Sequence, residues 1–176
     1  TAGGGDGGDL GVAGSLSISK VDTTVEAPVD SGTSSDFSGG DVELDATSTT
    51  AATASAAPDM AGTGDDLGLG ASVAVNIANN TTRAAVQGTA DVDNADDVSL
   101  AATGDHTTTT DATAGGEASE GTGIGGAVAI TVADNLTVAQ VDTDTGAPAL
   151  DLTGDFDATA MHHGANTTIA DGTALG

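Results

Sequence analysis

The sequence predicts an all-β fold: an elongated β-solenoid, a β-helix-like repeat array of three units of about 56 residues. Three observations lead there. First, Gly68-Leu-Gly-Ala-Ser-Val-Ala-Val-Asn-Ile recurs as Gly123-Ile-Gly-Gly-Ala-Val-Ala-Ile-Thr-Val, with a looser copy at Gly11-Val-Ala-Gly-Ser-Leu-Ser-Ile-Ser-Lys; Gly11 to Gly68 is 57 residues and Gly68 to Gly123 is 55. Second, apolar and small residues alternate along each copy, which is the period of a strand with one buried face. Third, apolar residues make up 38% of the chain but aromatics only 1%. The core must then be thin, with small aliphatic side chains in repeated layers and no aromatic anchors. Disorder is the competing expectation for an acidic chain rich in Gly, Thr and Asp, and the alternating Val/Ile stretches argue against it.

Residues 1–9 form a Gly/Asp-rich lead-in. Counted from Gly4, it places Gly7 and Asp9 as the calcium nonapeptide of repeat toxins requires, but Gly11 stands at the apolar place and no tandem copy follows, so a plain loop is expected. The repeats then run 10–66, 67–121 and 122–176 as one continuous stack. In the second repeat Val73, Val75 and Ile77 are expected on the buried face, with Ala74 and Asn76 on the other. The third repeat has Val128, Ile130 and Val132 at those places, and the first has Leu16 and Ile18. A one-residue slip near Lys20–Val21 is predicted there, absorbed by a bulge. Asn79–Thr82 and Asp134–Thr137 read as bends or Asn-lined corners, after which extension resumes at Arg83–Val86 and Val138–Val141.

The second half of each unit follows an Asp/Gly-rich turn. It reads Asp41-Val-Glu-Leu-Asp-Ala-Thr in the first repeat and Asp97-Val-Ser-Leu-Ala-Ala-Thr in the second. In the third, either Ala149–Thr153 or Asp155–Thr159 fits. Thr/Ala-rich tails follow at 47–57, 103–114 and 159–170; Thr favours strands, and Thr107–Thr110 suits a solvent-facing ladder. Gly-rich loops at 62–70 and 115–126 should close the units. No apolar stripe of helical period persists, and Pro28, Pro58 and Pro148 sit in or beside connections.

Two Lys+Arg against 27 Asp+Glu give a net charge of −25. That excludes nucleic-acid phosphates as a main partner and disfavours anionic lipid. No run approaches a membrane span, and with no cysteine there is neither disulfide nor thiolate site.

Catalysis finds little support. A nucleophile elbow is missing, and His106, His162 and His163 read as polar residues on a solvated face. His162 and His163 are neighbours on one strand, face opposite ways and cannot chelate together without a bend. Glycosidase carboxylates cannot be singled out, and only Phe37 and Phe156 could stack on a sugar. Ca²⁺ is the better candidate ligand: Asp91, Asp93, Asp96 and Asp97 in one turn, and Asp142 and Asp144 in another, place carboxylates at the short spacing a hard cation wants. A solvated acidic loop is the plain alternative. Asn80, Asn135 and Asn166 each open an Asn-x-Thr glycosylation sequon, as does Asn79, and Asn80 and Asn135 are equivalent in two repeats. The alternative is that these amides satisfy backbone groups at a corner.

The Gly-x-Gly-Ala-Ser-Val-Ala-Val-Asn-Ile…Asn-Asn-Thr-Thr-Arg-Ala pattern resembles the repeats of giant secreted bacterial adhesins and autotransporter-type surface proteins. The resemblance covers residues 10–176, and the first repeat departs from it most, at Lys20–Asp22. It implies an exported, elongated β-repeat displayed outside the cell. The functional expectation is a structural, non-enzymatic segment of an extracellular fibre, stalk or adhesin, whose partners are further repeats or copies of itself, with no membrane insertion. The alternatives are a surface-filament subunit joined end to end by strand addition, and a repeat-built carbohydrate-binding module or enzyme. Asp171-Gly-Thr-Ala-Leu-Gly176 reads as the opening of another repeat, so both ends of the stack are expected to be continued.

Overall fold

The computed structural model describes residues 8–30, 32, 34–58, 62–142 and 148–176. The first four residues of the Gly4-initiated nonapeptide match, and Asp144 of the second acidic turn, lie outside the described residues. The described chain is all-β: β1 (Leu10–Val29), β2 (Ser34–Asp36), β3 (Val42–Ala56), β4 (Gly62–Gly64), β5 (Leu67–Gln87), β6 (Asp91–Ala95), β7 (Val98–Ala118), β8 (Thr122–Asp142), β9 (Ala149–Leu152) and β10 (Phe156–Leu175). All pairings are parallel. They make two long sheets, β1-β5-β8 and β3-β7-β10 (β4 also pairs with β7), and one short sheet, β2-β6-β9. The chain visits long, short and long sheet in that order three times. The long strands span roughly 65 Å, β3 roughly 50 Å, and three stacked strands rise roughly 14 Å, so each pass is far broader than the stack is high.

The register is cleaner than the sequence suggests. β1 pairs with β5 without interruption from Leu10↔Leu67 to Val29↔Val86, so the slip expected at Lys20–Val21 does not occur: Lys20 pairs with Ile77 and Val21 with Ala78. Nor is there a bend at Asn79–Thr82 or Asp134–Thr137, since β5 and β8 run straight through both. The ambiguity in the third repeat resolves into two strands. Ala149–Leu152 is β9 of the short sheet, while Phe156 pairs with Val98 as Val42 does. The short sheet itself had no sequence counterpart. The expected Gly-rich loops are largely strand, leaving turns only near Asp65–Asp66 and Ser119–Gly121. Asp171–Leu175 is the end of β10, paired with Thr113–Glu117, and not the opening of another unit.

The buried face is the opposite of the expected one. In β5 the inward residues are Gly68, Gly70, Ser72, Ala74, Asn76, Ala78, Asn80, Thr82 and Ala84, while Val73, Val75 and Ile77 point outward. In Thr107–Thr110 only Thr108 and Thr110 face inward, so the run is not a solvent-facing ladder throughout. The physical reason is the small distance between the two long sheets. At the Gly68 end, a Cβ on Gly68 would lie 2.0 Å from Glu117 O, and one on Gly70 2.0 Å from Gly115 O. Sheets that pack through ordinary side chains stand about 10 Å apart; here the backbones themselves touch, and only glycine fits. The gap then widens along the strands. Ala, Ser, Asn and Thr fill its middle, and at the short sheet it holds the main aliphatic core of Val42, Val86, Val92, Val98 and Leu100, with Phe37, Leu44, Leu150 and Leu152 packed against it.

Candidate functional site

Three regions carry the chemistry of this molecule: the outer face of β1-β5-β8, the gap between the long sheets, and the acidic turns.

The outward residues of β1-β5-β8 divide into two halves. One half carries the ladders Val12–Leu69–Ile124, Leu16–Val73–Val128 and Ile18–Val75–Ile130. Ile18 is 67% exposed and Ile130 45%. Between the first two ladders runs a column of small residues, Gly14–Ala71–Gly126, which leaves a shallow groove lined by Gly14, Ser15, Leu16, Ala71 and Val73. The other half is polar and holds Asp22, Glu26, Arg83 and Asp134. Lys20 donates to Asp22 at 2.5 Å, and this bond, with a second from Asn79, holds the Asp22 carboxyl below its ordinary value. The outer face of β3-β7-β10 is more acidic, with Glu43, Asp45, Asp105, Asp111, Glu117, Asp157 and Asp171 among threonines, and its exposed large apolar side chains, Met161, Ile169 and Leu175, are confined to β10.

The middle of the gap is a set of polar ladders. Asn76 donates to Ala52 O at 3.0 Å and to Thr109 O at 3.1 Å, tying one sheet to the other. Asn80 donates to Asn135 Oδ1 at 2.7 Å, and Thr110, Thr131 and Thr168 form a chain of hydroxyls at 2.6 and 2.7 Å. His106 is 1% exposed. Its Nδ1 lies 2.8 Å from Thr50 Oγ1, its ring lies 5.5 Å from that of His162 and is tilted 37° to it, and its Nε2 meets no hydrogen-bond partner among the described residues. Gly104 makes room for the pair, because a Cβ there would lie 2.8 Å from His106 Nε2. Burial first, and then His162, hold His106 below the ordinary imidazole value, against the pull of Asp105. His162 faces inward and its pair mate on the strand, His163, outward.

The acidic residues proposed for Ca²⁺ are engaged separately. Asp93 accepts from Ser34 at 3.4 Å; Asp96 Oδ1 accepts from Thr153 at 3.1 Å, and Asp97 Oδ1 from the Asp155 amide at 2.7 Å. Arg83 donates to Asp142. Asp91 is half-buried in β6. Among the described residues, no group of three or more His, Cys, Asp or Glu side chains is arranged to hold a metal ion. Asp36, the last residue of the neighbouring β2, is held below its ordinary value by the Ser38 amide and by Asn94. Of the sequons, Asn80 is 2% exposed with its amide inside the gap, Asn135 is half-buried on the same ladder, and Asn166 faces the gap but is exposed in β10. Only Asn79 points outward. A glycan on Asn80 would need space the two sheets do not leave.

No family model, curated protein or solved structure matches this chain.

The arrangement places threonine hydroxyls beside both inward histidines, Thr50 Oγ1 at His106 Nδ1 and Thr137 Oγ1 at His162 Nδ1. It offers an aliphatic surface, hydrogen-bonded ladders that propagate from pass to pass, and long edge strands that pair on one side only among the described residues. His106 is buried and not on a solvated face as expected, and sequence reasoning missed its pairing with His162, although 106 and 162 are one repeat length apart. It also missed the aliphatic outer face, whose signal was present: Leu16 and Ile18 share parity with Lys20, Asp22 and Glu26, whereas the alternate positions of β1 hold no charge.

Proposed function

We propose that the three passes are turns of an elongated β-solenoid, and that the chain is a structural segment of an extracellular fibre, stalk or adhesin with a mechanical role. The observation that carries this reading is β10. All 20 of its residues are exposed, including the inward-facing Asn166 and Thr168, whose partners Thr108 and Thr110 in β7 are buried. A parallel edge with its inward columns already in register is a template for another turn. The Thr110–Thr131–Thr168 chain of hydroxyls would run on through such a turn unchanged. Further repeats in one chain, or a second copy joined by strand addition, would supply it. The likeness of the repeats to surface adhesins supports placement outside the cell. A ladder of backbone hydrogen bonds along the stacking axis suits a load-bearing element.

A tandem duplication of residues 10–176 tests this. Six passes should form one stack, its height rising from roughly 14 to roughly 29 Å by small-angle scattering, with a single unfolding transition at higher denaturant. Two three-pass bodies tumbling independently, each as stable as the single copy, would overturn it.

A further inference from the structure

We propose that the aliphatic half of the β1-β5-β8 outer face pairs with the same face of a second copy of this chain, ridge into groove. The pairing is lateral and does not depend on continuation at the sheet edges.

Three observations lead to a second copy as the occupant. The first is relief. The Leu16–Val73–Val128 and Val12–Leu69–Ile124 ladders are ridges, and the Gly14–Ala71–Gly126 column between them is a groove one residue wide. Turned about a two-fold axis that lies between the two faces, parallel to both and across the strands, the Leu16–Val73–Val128 ridge of each copy enters the groove of the other, and the span from Leu10 to Lys20 is paired throughout. Such an isologous contact needs only one self-complementary patch. The second is charge. The chain carries −25, yet Lys20 is the one charged residue among the outward positions from Leu10 to Lys20, Leu67 to Ile77 and Thr122 to Val132. Two copies therefore meet with least repulsion here. The same face carries Asp22, Glu26 and Asp134 at its polar half, which turns away an anionic lipid surface. The third is area. The aliphatic half covers roughly 450 Å², whereas stable complexes bury roughly 800 Å² per partner. Three passes thus give a weak dimer, and each added pass contributes roughly 160 Å² per partner. Parallel sheets are characteristically covered on both faces, and here the gap covers only one.

The test is sedimentation velocity of the 176-residue chain at raised NaCl, which screens the net charge. A concentration-dependent dimer is expected, strengthening with salt. The triple variant Val73→Thr, Val75→Thr, Ile130→Thr keeps β-branched side chains on the strands and should weaken the dimer at least tenfold, with circular dichroism unchanged. A second measurement does not depend on that variant. The chain has no cysteine, so Ala71→Cys places one thiol in the groove and Thr107→Cys one on the opposite face. A short bis-maleimide should crosslink the first at least ten times faster than the second. Equal crosslinking, association untouched by the threonines (which would mark edge-to-edge contact), or a monomer at every concentration, whether or not it binds phosphatidylcholine vesicles, would each overturn the proposal.

Discussion

The two ends of the gap between the long sheets are built on opposite rules. At the Gly68 end the sheets are in backbone contact, and glycines line both: Gly62, Gly64 and Gly116 on one sheet, Gly11, Gly70, Gly123 and Gly125 on the other. At the short-sheet end Val86, Val92, Val98 and Leu100 are each 0 or 1% exposed in an ordinary aliphatic core. One alternating pattern serves both, and side-chain volume sets how far apart the sheets stand at each point. The chain therefore resolves the shortage of large apolar residues by closing the gap where it cannot be filled. Its Val/Ile/Leu ladders are left outside because the middle of the gap cannot admit them.

The largest expected effect tests the wide end. Leu100→Ala should cost about 2–5 kcal/mol through lost burial and a residual cavity. The outward Val75→Ala should cost less than about 1 kcal/mol, mostly strand propensity. Urea unfolding of both variants checks this, and equal losses would mean that Val75 is core after all.

The narrow end can be broken with two adjacent glycines. A Cβ on Gly125 would lie 2.0 Å from Thr173 O, whereas nothing lies within 4 Å of one on Gly126. Gly125→Ala should destabilise by about 1–3 kcal/mol, the usual range for overpacking. Gly126→Ala should instead stabilise by about 0.5 kcal/mol through loss of unfolded-state freedom. The same sign for both in thermal melts would refute backbone contact at this end.

The middle of the gap is sharpened by Asn76→Ala, which removes the two bonds to Ala52 O and Thr109 O and should cost about 1–2 kcal/mol. Amide hydrogen exchange near Ala52 and Thr109 should rise with it, and a variant as protected as the parent would show that the two bonds hold nothing together.

The smallest effect is a pH dependence. The folded chain holds His106 below the ordinary value of 6.5, so the unfolded chain binds the proton first. No stability is lost to His106 above about pH 6.5, and stability falls as pH drops below it. Melting temperatures between pH 7.5 and 5.5 should show this decline, and His106→Thr, which copies Thr50 of the first pass, should flatten it. A decline unchanged in that variant would assign the titration elsewhere.

By itself the sequence determined the all-strand character, the repeat length, the starts of β3 and β7 to within one residue (Asp41 and Asp97 against Val42 and Val98), and the parity that separates Val73, Val75 and Ile77 from Ala74 and Asn76. Those features are local: a period of two and a recurring motif need only the neighbours along the chain. Only the tertiary structure decided which parity is inside, that Lys20 keeps register with Ile77, and that His106 meets His162. An alternating strand is symmetric between its two faces, and hydrophobicity alone assigns the larger residues inward. What reversed that assignment is the distance between two sheets whose facing strands are separated by tens of residues in sequence, closed at one end by glycine backbones in contact. That distance belongs to the pairing of strands across the gap and to no single stretch of the chain.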